Sequence, residues 1–200
     1  DAMLMGAEMA YTAKDYEKAL HIYKQLKDKA ASMERRQLAK TGMLRSAHML
    51  GNEEEIIFTA TDLLADTKLA PELSNEAHYY RAKAYLDAGK TDGAMEDLKI
   101  LAKDTRNVYG AEAKYKVAQI YFDGGQTDKA EQEVLNYIEV STPHTYWLAR
   151  SFVLLADVYM KSGRNLDAKQ YLLSLKQNYQ ADDDIAGMIE SRLEKLKTEN

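Results

Sequence analysis

Cysteine is absent from the 200 residues, and that absence removes disulfide bonds, thiol nucleophiles and thiolate metal sites at once. Proline occurs twice and glycine ten times, too rarely for the many turns of a sandwich or strand-rich barrel. No apolar run approaches the roughly 18 to 20 residues needed to cross a bilayer, so this segment is not expected to insert into a membrane. Neither charge dominates: 27 basic residues stand against 32 acidic ones, a net of -5, with the two signs interspersed. Such a surface gains little from displacing phosphate counterions, and nucleic acid is not an expected partner. The chain opens DAMLMGAEMA, with no initiator Met and no basic, apolar leader, and reads as a segment of a longer protein.

What is abundant is Ala, Leu, Glu and Lys, all good helix formers, in a composition 46% hydrophobic and 30% charged. That supplies enough apolar side chains for a folded all-α unit, whether a globule or an elongated array.

The chain repeats itself. AYLDAGKTDGAMEDLKIL at 84 to 101 is answered by IYFDGGQTDKAEQEVLNYI at 120 to 138. Anchoring each copy on the residue five places after the turn puts Ala19, Ile56, Ala94, Ala130 and Ala168 in one register, with steps of 37, 38, 36 and 38. Before each turn, Ala82, Tyr85 and Gly89 follow i, i+3, i+7 spacing, as do Ala118, Tyr121 and Gly125, and Ala156, Tyr159 and Gly163. That is one stripe of a helix. After the turn, Ala94, Leu98 and Leu101, and likewise Ala168, Leu172 and Leu175, form a second stripe at i, i+4, i+7. Each copy therefore reads as two antiparallel helices whose alanines let the backbones approach while Tyr and Leu fill the space beside them.

The pattern resembles the tetratricopeptide repeat: small residues and an aromatic on a first helix, then a small residue on the second. The resemblance covers about residues 2 to 179, strongly in the third to fifth copies. It implies a right-handed superhelical α-solenoid of about five helix-turn-helix repeats, at about 2–34, 35–71, 72–108, 109–142 and 143–179. Residues 180–200 would form a C-terminal capping helix and tail. Repeat two departs from the pattern, with Leu44 in place of the first small residue, Ala47 in place of Tyr and Ile56 in place of the post-turn Ala, so its packing is expected to differ. Steps of 36 to 38 exceed the usual 34 of the family and are similar in style to the looser repeats of bacterial envelope proteins, which leans toward a periplasmic or envelope setting and leaves a cytoplasmic one open.

Helix starts are signalled at the joints between copies. Ser141 or Thr142, followed by Pro143, suits a helix N-terminus, and Ser74 suits the start of NEAHYYRAKAYLDAG. In ADDDIAGMIESRLEKLK the acidic cluster precedes a stripe of Ile185, Met188, Ile189, Leu193 and Leu196. This reads as a cap over the last repeat rather than a cation site, because calcium ligands are spread over about 12 residues.

Chemistry is sparse. His21, His48, His78 and His144 lie in different copies with no metal-ligand spacing, and no phosphate-binding glycine loop, nucleophile elbow or zinc-protease helix occurs. No cofactor, metal or catalytic residue is expected. The resemblance implies instead a concave surface built from the first helix of every copy. At i, i+3, i+7, i+10 spacing, that face carries Leu38, Thr41, Arg45 and His48, then Glu76, Tyr79, Lys83 and Leu86. The later copies supply Glu112, Tyr115, Gln119 and Phe122, then Arg150, Val153, Asp157 and Met160. Tyr79 and Tyr115 are expected either as exposed anchors or as packing residues; aromatics among long polar side chains have the composition of interface hot spots. The family's two-repeat carboxylate clamp of Lys and Asn is not reproduced at Thr41, Arg45, Tyr79, Lys83, Tyr115 and Gln119, nor at the neighbouring Gly42, Tyr80 and Lys116. The expected function is a non-catalytic scaffold binding a protein or peptide. The alternative is a structural or oligomerisation module of a larger envelope protein, including pairing with a second copy as a homodimer.

Overall fold

The structure is a computed structural model describing residues 1–198, and the last two residues of the 180–200 segment expected to form the cap and tail lie outside the described residues. In chain order the helices are α1 Ala2–Thr12, α2 Tyr16–Lys29, α3 Met33–Leu50, α4 Glu53–Leu64, α5 Pro71–Asp87, α6 Thr91–Leu101, α7 Val108–Asp123, α8 Thr127–Val140, α9 Thr145–Lys161, α10 Asn165–Asn178 and α11 Ile185–Thr198. No strand occurs among the described residues. The backbone divides into two compact units, Asp1–Asp97 and Leu98–Asn200, with the division falling inside α6.

Short polar side chains start the helices. The carboxylates of Asp1 and Asp15, the Ser32 hydroxyl and the amide oxygens of Asn52 and Asn107 each accept from a backbone N–H in the first turn of the helix that follows. Two expected starts are corrected. Helix α5 begins at Pro71 rather than Ser74, because proline at the first helical position has no N–H to leave unpaired. Helix α9 begins at Thr145, after Pro143. The Thr142 hydroxyl is engaged elsewhere, donating to the Thr105 carbonyl at 2.6 Å while accepting from His144 N–H at 3.1 Å. Ahead of α11, the Asp183 carboxylate accepts from Ile185 N–H, the use expected of the acidic cluster.

Ala82, Ala118 and Ala156, and the post-turn Ala94, Ala130 and Ala168, are all buried. In the first unit, α1, α2 and α3 pack around Ala7, Ala19, Tyr23, Leu26 and Met43, and α3, α4 and α5 around Leu44, Ile56, Leu63 and Ala77. Leu44, Ala47 and Ile56, the departures of repeat two, are buried in this second cluster. There the large and small side chains have exchanged places. Gly42 on α3 faces the first cluster instead, where an added Cβ would overlap the ring of Tyr23 on α2. In the second unit one cluster joins α7 to α11 through Ala118, Val134, Tyr137, Leu155, Leu172 and Ile185. Fully burying each such Leu or Ile contributes roughly 1.5–3 kcal/mol.

Polar ties join the two helices of a pair at a fixed offset. Eleven residues before the turn glycines Gly51, Gly89 and Gly125 stand Lys40, His78 and Lys114. Lys40 pairs with Asp62 and Asp66, His78 with Asp97, and Lys114 with Glu133 and Asn136. In the fifth copy the same offset holds Phe152, whose ring lies 6.2 Å from that of Tyr171. Buried charges persist only where they are paired, as Lys40 and Lys114 are.

Candidate functional site

In the first unit, α3 and α5 present five of the expected residues together. Arg45 donates through Nε and Nη2 to both oxygens of Glu76, at 2.7 and 2.9 Å. One turn along α3, the His48 ring stacks on Tyr80 with centroids 4.3 Å apart. Burial, reinforced by the positive charge of Lys83, lowers the His48 pKa, so the imidazole is neutral at pH 7. The Lys83 ammonium lies 5.1 Å from the Tyr79 ring centroid and 3.3 Å from its hydroxyl. These side chains, apart from the more exposed Arg45, are half-buried.

In the second unit, the expected residues on α7 and α9 are also engaged. Tyr115 is only 7% exposed, which makes it a packing residue rather than an exposed anchor. Its ring lies 5.7 Å from that of Trp147 and 5.1 Å from the Arg150 guanidinium, two residues on the next first helix that close over it. The Tyr115 hydroxyl donates to Gln119 at 2.9 Å, and Gln119 donates in turn to Asp123 at 2.8 Å. Arg150 also donates to the Tyr146 hydroxyl, Glu112 pairs with Lys116 one turn on, and Phe122 packs half-buried against the core. Asp157 accepts two bonds from Arg192 of α11, at 2.8 and 2.9 Å.

Tyr80, Tyr146, Trp147 and Arg192 belong to these arrangements and were not singled out by spacing. Tyr80 lies beside the expected stripe, and Tyr146 and Trp147 open α9, where period-based reading is weakest. Arg192 falls within the capping stripe, on the same face as Ile185, Met188 and Ile189, so an arginine on an apolar face was a signal the spacing offered, although its partner stands 35 residues away. Among the described residues, no group of three or more His, Asp or Glu side chains is placed to hold a metal, and no helix is long and apolar enough to cross a membrane.

Helix pairs with small residues at their crossings are the arrangement that tetratricopeptide repeats take. Residues 76–104 match the family model of the tetratricopeptide repeat. The crystal structure of MamA protein is similar over 88% of this chain and 89% of that one, at 18% identity and a TM-score of 0.66. Nearly identical TPR-like repeats from Podosopora anserina align over 88% of this chain and 92% of theirs, at 18% identity and a TM-score of 0.62. A thermophilic TPR protein of Thermus thermophilus aligns over 96% and 97%, at 19% identity and a TM-score of 0.51. None of the curated proteins matches this chain in sequence. The chain has the all-α helical-repeat fold of tetratricopeptide-repeat proteins, a fold that supports a protein-interaction scaffold in general.

Proposed function

We propose that the chain is a non-catalytic scaffold that binds a peptide or protein segment on its first-helix face, presented by α3 and α5 in the first unit and by α7 and α9 in the second. The observation that carries this reading is the half-buried cluster of Tyr79, Tyr80, His48 and Lys83, rings and a long cation side by side. Half-buried aromatics have already lost much of their rotamer freedom, so a partner that covers them gains area at little ordering cost. Immobilised protein used to capture partners from the native source is expected to lose them in the Lys83→Glu variant, with the melting temperature unchanged. Full retention by that variant would remove the first unit's face from the binding surface.

A second reading, an oligomerisation module, is supported by Met5 and Met9 on α1, which are 60% and 67% exposed and one turn apart. Sedimentation of wild type against Met5→Lys/Met9→Lys tests it. A dimer that the variant dissociates supports pairing through α1, and a wild-type monomer rejects it.

A further inference from the structure

In the second unit α9 and its neighbours on either side, α7 and α11, line an open-sided cavity of about 510 Å³. Phe122 and Met160 supply its apolar part. Asp157 and Arg192 sit beside them as the two-bond pair described above, and Arg192 donates a further bond to the Met188 carbonyl. That pair neutralises itself and ties α11 to α9. The remaining charges in the lining are Lys161 and Lys195, and neither has a carboxylate partner among the described residues. A lysine in the last turn of a helix complements the helix dipole, which accounts for each of them singly. It does not account for both bordering one cavity with Phe122 and Met160 in its wall.

We infer that this cavity takes a short peptide segment carrying one large apolar side chain flanked by acidic residues. The apolar side chain displaces water from Phe122 and Met160, and the carboxylates meet the ammonium groups of Lys161 and Lys195, with the Ser191 hydroxyl as a neutral donor in the same wall. The volume lies within the roughly 300–1,000 Å³ of ordinary ligand sites. The inference rests on the first-helix face being the binding face and adds the chemistry of the partner. It also gives α11 a second role, since the helix that covers the last repeat is one wall of the site.

The test uses the ¹⁵N-labelled full chain titrated with acetyl-Glu-Phe-Glu-amide to about 5 mM, enough to detect dissociation constants on the order of 1 mM. Amide shifts are expected around Phe122, Met160, Ser191, Arg192 and Lys195, and acetyl-Lys-Phe-Lys-amide is expected to bind at least about tenfold more weakly. In Lys161→Glu/Lys195→Glu, two exposed positions whose exchange leaves the helical spectrum intact, the preference between the peptides is expected to reverse. Absence of shifts at these residues, or equal response to the two peptides, overturns the inference. Because the titration needs no native partner, its outcome is separable from that of the Lys83→Glu capture experiment.

Discussion

The backbone N–H of Gln126 donates to the carbonyl oxygen of Tyr121 at 2.8 Å, closing the turn between α7 and α8. The bond recurs from Lys90 to Tyr85, from Arg164 to Tyr159 and, in repeat two, from Asn52 to Ala47. It requires a left-handed residue just before the donor, supplied by Gly125 at φ 77° and by the matching glycine in those three copies. In the first copy the donor is Asp15, the acceptor Ala10, and the left-handed residue is Lys14 at φ 63°.

A side chain at a left-handed position costs roughly 1–2 kcal/mol, so Gly125→Ala is expected to destabilise by about that amount, and Lys14→Gly to stabilise by up to about 1 kcal/mol. Urea midpoints for the two variants, moving in opposite directions, check this. Movement in the same direction contradicts it.

Gly42→Ala is expected to cost roughly 1–3 kcal/mol, because the new methyl group must push the buried Tyr23 ring out of its rotamer. Combining it with Tyr23→Ala is expected to cost less than the sum of the single changes, since the clash disappears with the ring. Thermal melts of the four proteins in the cycle measure the coupling, and strict additivity would show that the two positions do not meet.

Asp97 is almost fully buried, with His78 2.7 Å from one oxygen and Arg81 donating to both oxygens at 2.7 and 2.9 Å. Burial alone pushes its pKa up; the bonds from His78 and Arg81 outweigh burial and hold it below the usual carboxylate range. A folded pKa below the unfolded value of about 3.9 means that the unfolded chain takes up the proton first on acidification. The stabilisation is therefore complete above about pH 4 and is lost as pH falls through the folded pKa. Asp97→Asn is expected to cost roughly 3 kcal/mol at pH 7, by stranding Arg81, and to flatten this part of the acid dependence. An unchanged acid profile would contradict the assignment.

His48 titrates in a different window. Its folded pKa lies below the unfolded value of about 6.5, so stability falls as pH drops from about 6.5 toward the folded pKa. An NMR titration of the imidazole is expected to give a midpoint below 6.5, and His48→Phe to keep the stack on Tyr80 while removing this slope. A midpoint at or above 6.5 would contradict the burial described for the ring.

The repeat register was legible because each helix crossing demands a small or buried residue at one place. Ala19, Ile56, Ala94, Ala130 and Ala168 are all buried accordingly. The ties of Lys40, His78 and Lys114 were legible in principle, by superposing the copies on their turn residues. The opening of α9 was not, because Thr142 can cap a helix or bind the Thr105 carbonyl, and only the fold decides between them. The burial of Tyr115 was equally hidden, since it depends on Trp147 and Arg150, more than thirty residues away.

Binding on the first helices, the central proposal, is tested most directly by a photo-crosslinking amino acid. It is placed in turn at Lys83 and Gln119 on first helices, and at the exposed Phe58 and Leu166 on second helices. Partners from the native source are expected to crosslink at 83 and 119 and not at 58 and 166. Crosslinking confined to 58 and 166 would contradict the proposal.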